Sequence, residues 1–421
     1  MPQKTNVHFL SNGIPVILRN APFHTCKILF SLHFGAGDET APEYGITHFI
    51  EHLLGQSTTG DKTFGTLTKK IEILGGAISL YTTYNKIGCY INILPEHLID
   101  TIQIIAPQIT SPVFDTEKIE QEKHIILTEH KRYIAQNSWF LFAQENLFKN
   151  TGLGHSITGT PETIKSFTSE SLSKYYHSHL SSDKFNIVVI SQINNTEKLL
   201  SELESTFGNM PHTPYKSKSW TTTPVIAHDF KHDINNTKLV LAFAAKIPDT
   251  RKAQIATGLF KKILRDRLIN ALRYQNGLVY SVKCLTMGVG NTKLYTIETE
   301  AQPHQIETIT KVIASECTNI LTIQPITSKE LQIAKNVIKY QNARVMDSID
   351  KSCETYAQYM NHYGKVYDFD MENLELEKTT LSDIITTGHT ILNAPISIIT
   401  QGPEQNDNII NIWTKNFITP K

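Results

Sequence analysis

The sequence predicts an α+β protein: two similar α/β-sandwich-like domains, each a mixed, mostly antiparallel sheet covered by helices, related by internal duplication. Three observations predict it. Apolar runs of strand length, such as KILFSLHF and FNIVVIS, are interspersed with stretches whose apolar residues recur at helical spacing. The order strand, helix, strand pair, helices, strand occurs twice along the chain. Between the copies lies GNMPHTPYKSKSWTTTP, rich in Pro, Ser and Thr, which reads as an extended linker. The expected division is 1–210 for the first domain, 211–225 for the linker and 226–421 for the second domain.

The elements follow in order. Val7 to Leu10 and Ile14 to Leu18 flank Asn12-Gly13, a strong hairpin signal. Lys27 to Phe34 is a third strand, ended by the breaker Gly35-Ala36-Gly37. A helix over Pro42 to Leu54 places Pro42 in its first turn, and a second helix, Phe64 to Leu74, closes at Gly75-Gly76. Ala77 to Thr82 and Ile87 to Leu94 form a strand pair around Tyr84-Asn85. Helices are expected at Glu96 to Gln108, at Asp115 to Ala135 with Asp115 as N-cap, and at Thr168 to His179. Lys184 to Ser191 is a buried strand and Thr196 to Phe207 a helix. In the second half, Lys238 to Ala245 is a strand and Arg251 to Tyr274 a helix. A strand pair follows at Val279 to Met287 and Leu294 to Glu300. Gln305 to Leu321 and an unusually long Thr327 to Tyr363 are helices, then Leu381 to Leu392 a helix and Ile396 to Gln401 a strand.

Composition bounds the function. The chain has 421 residues, 40 Lys+Arg against 40 Asp+Glu, and zero formal net charge. That balance argues against a nucleic-acid binder working by bulk attraction. Five scattered Cys imply neither a disulfide framework nor a Cys-rich metal site; they read as buried thiols in a reducing compartment. The first residues, MPQKTNVHFLSNGIPVILR, lack the continuous apolar core of an export signal, and no run is long enough to span a bilayer. A soluble cytoplasmic protein is the expectation.

The chemistry concentrates in His48-Phe49-Ile50-Glu51-His52. On a helix the two imidazoles leave one face a turn apart, within reach of one zinc ion. Glu51 stands beside them, where a carboxylate can take a proton from a water on the metal and pass it to a leaving amine. The order is the inverse of the commoner zinc-peptidase motif. A catalytic zinc takes a third protein ligand from elsewhere. Glu122 and Glu129 lie two turns apart on a part-apolar helix, where zinc would give Glu129 a partner and Glu122 could orient a ligand histidine. Two solvated surface glutamates are the plain alternative. His124 and His130 flank Glu129 but are rotated away from it, and His155 reads as structural or chamber-lining.

These residues resemble the pitrilysin/insulinase family of inverted zincins, whose HxxEH motif is followed by a third-ligand Glu some 76 residues on. Here residues 53 to 128, 76 in number, separate His52 from Glu129. Leu74-Gly75-Gly76 with Tyr81-Thr82-Thr83 resembles the family's glycine turn and substrate-binding edge strand, and Gly159-Thr160-Pro161-Glu162 its later loop. RYQNGLVYSV, from Arg273 to Val282, resembles its Arg/Tyr signature, and Lys329 to Arg344 its long helix. The length is that of half-size members, the bacterial processing-type proteases and the mitochondrial processing peptidase subunits.

The resemblance implies a zinc-dependent endopeptidase: zinc ligands His48, His52 and Glu129, general base Glu51, supporting acid Glu122. It implies that Arg273 and Tyr280 contact substrate carbonyls and stabilise the oxyanion; read alone, they are a solvated cation and a packed ring. It implies a peptide substrate added as a strand along Ala77, Ile78, Ser79, Leu80, Tyr81 and Thr82. It further implies a closed chamber completed by dimerisation, most simply a homodimer with shared sites, the variant being a heterodimer with a homologous chain. The alternative is a catalytically inactive binding or assembly subunit of the same fold. Two departures bear on subsites: Ser79-Leu80 stands where the family commonly has Asn-Ala, and Gly55-Gln56 where it has an aromatic and a basic residue.

Overall fold

The computed structural model describes residues 5–56, 66–214, 219–289, 292–404 and 408–418. The first sheet contains β1 (Thr5–Phe9), β2 (Pro15–Asn20), β3 (Cys26–Leu32), β4 (Ala77–Thr82), β5 (Ile87–Ile93) and β6 (Phe185–Ser191). Its order is β1-β2-β6-β3-β5-β4. Only β2 and β6 pair in parallel. The second sheet contains β7 (Ile226–Phe230), β8 (Thr237–Phe243), β9 (Val282–Val289), β10 (Thr292–Ala301) and β11 (Ile396–Gly402), in the order β7-β11-β8-β10-β9. Its parallel pair is β7 with β11. Stripped of β1, the first sheet has the second's topology strand for strand, which is the duplication the element order predicts.

Helices of the first half are α1 (Ile46–Gln56), α2 (Thr66–Ile73), α3 (Leu98–Thr110), α4 (Thr116–Leu147), α5 (Pro161–Ser166), α6 (Ser169–His179) and α7 (Thr196–Phe207). Those of the second are α8 (Arg251–Ile269), α9 (Ile306–Leu321), α10 (Ser328–Met346), α11 (Ile349–Tyr363), α12 (Phe369–Lys378), α13 (Leu381–Leu392) and α14 (Ile409–Asn416). The hairpin turn holds Gly13 at φ 87°, the left-handed conformation that suits glycine. Asp115 accepts from the N–H groups of Glu117 and Lys118 at 3.0 and 3.1 Å, starting α4 as expected.

Several boundaries differ. The expected Pro42 helix begins only at Ile46, because Gly45 sits at φ 90° with Gly159 Cα 2.7 Å from where a Cβ would stand. α4 runs on to Leu147 across a non-helical residue, Asn137. The long helix expected from Thr327 to Tyr363 is two: α10 ends at Met346, and Ser348 caps α11 by accepting from Lys351 N–H. Strand β7 and helices α5, α12 and α14 were not legible as periodic runs. The expected start at Phe64 and linker residues 215–218 lie outside the described residues.

The chain forms two compact units drawn from non-contiguous segments. One comprises residues 1–137, 155–217 and 344–368; the other comprises 138–154, 218–343 and 369–421. In the first unit, β3 and β6 are buried along their whole length because both faces are covered. Ile28, Phe30, Ile187 and Val189 join the core formed with Phe49, Ile50 and Leu53 of α1. Alternate residues point the other way, toward α11: Arg19 donates to Ser352 Oγ at 2.7 Å and Asn186 to the Ala357 carbonyl at 3.2 Å. The second unit has its own core around Leu239, Phe260, Ile297, Ile309 and Trp413.

Candidate metal centre

Helix α1 buries Phe49, Ile50, Leu53 and Leu54 against the sheet, which leaves His48, Glu51 and His52 on its remaining faces. Its first turn is anchored by a carboxylate that the sequence reading did not single out. Glu39, fully buried at its side chain, accepts from the N–H groups of Gly45 and Thr47 at 2.7 and 2.9 Å. His155 Nε2 completes the arrangement, 2.9 Å from the same carboxylate, with the Tyr44 ring stacked on its imidazole at 3.8 Å. An acid shortly before a helix, followed by a glycine, is the signal that could have flagged Glu39.

Helix α4 presents Glu122, Ile126 and His130 to the interior at helical spacing. Its Glu129 meets both histidines: Oε1 lies 3.8 Å from His48 Nε2 and Oε2 lies 3.2 Å from His52 Nε2. Glu122, wholly buried, lies 3.0 Å from His52 Nδ1. That contact assigns the Nδ1 proton to the Glu122 side and turns Nε2 toward Glu129. One ligand atom from each of His48, His52 and Glu129 lies within 4.8 Å of the others. Two imidazole nitrogens and one carboxylate, with an oriented histidine behind them, fit a zinc ion that keeps an open coordination position. Among the described residues this is the one group of its kind. His124 is exposed, and His130 Nδ1 contacts Thr158 Oγ1 at 2.8 Å instead.

Electrostatics differ sharply between neighbours. Burial pushes His48 down to about 4, helped by His52 and opposed by Glu129. Burial acts the same way on His52, but Glu122 and Glu129 outweigh it and lift that imidazole to about 10. Hydrogen bonding from His52 lowers Glu129. Burial raises Glu51, against His52 and a hydrogen bond from Thr82 Oγ1 at 3.0 Å.

Thr82 belongs to β4, an edge strand of its sheet paired only with β5. Leu80 lies two residues before it on the same face. A Cβ on Gly55 would stand 3.4 Å from Leu80 Cδ1, so the two departures from the family pattern are spatial neighbours. In the other unit, Arg273 lies on a π-helical turn, Asn270–Gln275, that continues α8. Its guanidinium is 4.8 Å from the centre of the Tyr280 ring, which is 81% exposed.

Comparison with known proteins places the chain in a family. The family model "Insulinase (Peptidase family M16)" matches residues 15–161 and "Peptidase M16 inactive domain" matches 166–338. An uncharacterized zinc protease of Rickettsia felis is 23% identical over 412 residues, 96% of this chain and 98% of that one. The mitochondrial-processing peptidase subunit beta of Bos taurus is 23% identical over 380 residues, 86% of this chain and 76% of that one. A protease structure from Helicobacter pylori shares the fold, with TM-score 0.82 at 16% identity over 95% of this chain and 100% of that chain. The two models lie end to end across most of the sequence, with His48, His52 and Glu129 inside the first. The chain belongs to the insulinase family of peptidases, family M16.

Proposed function

We propose that this protein is a zinc-dependent endopeptidase acting on peptides or unfolded segments bound as an added strand along β4. The observation that carries this reading is the convergence of His48, His52 and Glu129, with Glu51 adjacent and linked through Thr82 to that strand. His48, His52 and Glu129 hold the metal, and Glu122 keeps His52 in the ligating tautomer. Zinc bound there supplies Lewis acidity, lowering the pKa of a water and polarising a carbonyl oxygen. Glu51 takes the proton from the attacking water and returns it to the departing amine nitrogen. The backbone of Ala77 to Thr82 pairs with the peptide and fixes its direction. Arg273 and Tyr280 donate to substrate carbonyls and to the oxyanion.

In this reading two copies of the chain close a chamber, each lending Arg273 and Tyr280 to the other's metal centre; a homologous chain could take the partner's place. Five free thiols, four of them buried, suit a reducing cytoplasmic setting. Among the described residues no helix is long and apolar enough to cross a membrane. A second reading, a non-catalytic binding or assembly subunit, draws on the description of the model matching 166–338 as an inactive domain. Zinc stoichiometry and cleavage of a mixed peptide library, for the native chain and Glu51→Gln, separate the two. The peptidase reading expects one zinc in both and cleavage only in the native chain. Zinc-free native protein, or cleavage indifferent to Glu51→Gln, rejects it.

A further inference from the structure

We propose that Glu354 is a positioning residue: its carboxylate fastens the back of β4 to α11 and pre-orders that edge strand for an incoming peptide. The proposal rests on the peptidase reading for its functional consequence, though the clamp itself does not. β4 is held from both faces. Thr82 reaches Glu51 on the α1 face. Tyr81, one residue back, points to the opposite face. There its hydroxyl donates to Glu354 Oε2 at 2.9 Å. Tyr90 on β5 donates to the same oxygen, and Lys86, in the turn between the strands, pairs with Oε1.

The surroundings direct these groups to one point. Gly88 opposes Tyr81 in the β4–β5 register, and a Cβ there would stand 2.2 Å from the Tyr81 ring. Glycine therefore lets the ring lie across the strand pair, where it stacks with Tyr90 at 5.5 Å between centroids. The Lys86 side chain is only 5% exposed, so Glu354 is the counter-charge a buried ammonium needs. One turn earlier on α11, Asp350 pairs with Lys27 of β3 at 2.5 Å, so the helix is also tied to an interior strand of the sheet. An edge strand has neighbours on one side only and frays readily. Three donors from the β4–β5 pair converge on this carboxylate, which also accepts from Gln358 Nε2 at 2.8 Å; they oppose that fraying, and a strand already ordered binds a peptide at a smaller entropic cost. The Thr82–Glu51 contact on the other face keeps the base beside the strand, so the effect falls on binding rather than on the chemical step.

The test uses zinc-loaded full-length chain and a fluorescence-quenched peptide chosen from a mixed library for cleavage by the native protein. Glu354→Met keeps the side-chain length without an acceptor; Tyr81→Phe removes one hydroxyl. Each is expected to raise KM about tenfold, as for loss of a charge-assisted hydrogen bond, with kcat within about twofold. The double variant should be no worse than Glu354→Met alone, because that variant already removes the bond Tyr81 makes. Glu354→Gln, which restores an acceptor, should recover part of the KM. Hydrogen exchange at residues 77–82 should quicken in Glu354→Met while β3 and β6 amides stay protected. An unmoved KM with unmoved β4 exchange overturns the proposal, as do additive KM effects. If Glu354→Met does not fold, Tyr81→Phe and Glu354→Gln decide by the same readouts. If the native chain cleaves nothing, the peptidase reading fails, and β4 exchange still decides whether Glu354 holds the strand.

Discussion

In the proposed metal centre, how well His52 can offer Nε2 to a metal depends on where its other nitrogen is committed. Its Nδ1 faces a wholly buried Glu122 carboxylate at 3.0 Å. Glu122→Gln replaces that acceptor with an amide able to favour the wrong tautomer. Zinc affinity, measured by chelator competition, is expected to fall about 10- to 100-fold, the usual effect of removing such a support. A second residue-scale prediction concerns Gly55 and Leu80: a Cβ at position 55 would stand 3.4 Å from Leu80 Cδ1, so a side chain there meets that leucine first. Gly55→Phe should collide with Leu80 and lower the unfolding midpoint, and adding Leu80→Ala should restore it; equal midpoints for single and double variants would refute this packing. The HxxEH spacing, which helix geometry makes meaningful, and the 76-residue gap, which the family resemblance supplies, made the meeting of His48, His52 and Glu129 readable in the sequence. The Gly55–Leu80 proximity was not, since it joins a helix to a strand that passes over it.

At the scale of elements, α1 is only as well placed as its first turn. Glu39→Gln keeps the acceptor for Gly45 or Thr47 but loses the charge facing His155. It is expected to cost about 1–3 kcal/mol of unfolding free energy in denaturant titration, the range for a buried charged hydrogen-bonding group. The end of β3 carries a pH dependence. His33 is buried beside Asn186 Nδ2 at 2.7 Å, and burial, aided by Lys86, pushes it down to about 3 from an ordinary 6.5. Between those values the unfolded chain binds a proton that the folded chain excludes. The stability owed to neutral His33 is therefore whole above about pH 6.5 and is lost as pH falls toward about 3, at up to about 1.4 kcal/mol per pH unit. His33→Gln should flatten the fall in unfolding free energy between pH 6 and pH 4, and an unchanged slope would contradict the assignment. Element identity was largely legible where apolar periodicity was long. It failed at α10 and α11, which periodicity alone merges across Asp347 and Ser348, and at short β7 and α14.

For the whole molecule, the proposed sharing of sites makes a prediction about mixtures. Glu51→Gln and Arg273→Ala chains should each be inactive alone. If each centre takes Glu51 from one chain and Arg273 from its partner, a mixed dimer carries both lesions in one site and none in the other. Random exchange should then recover roughly a quarter of native cleavage, from the half of dimers with one intact site. No recovery, despite exchange shown by mass spectrometry, would rule out sharing.

By itself the sequence determined the two-fold repetition of the sheet, the candidate group His48, His52 and Glu129 on α1 and α4, and the identity of β4 as a strand. These follow from local periodicity and from motif spacing, which one chain segment carries at a time. The tertiary structure decided which distant segments complete each unit. Residues 344–368, far along the chain, belong with the first unit, where α11 covers the second face of the sheet and takes the hydrogen bonds of its buried Arg19 and Asn186. Strands apolar on both faces announce that something must cover them. Which helix does so depends on where the chain returns in space, and that placed Glu354 behind β4.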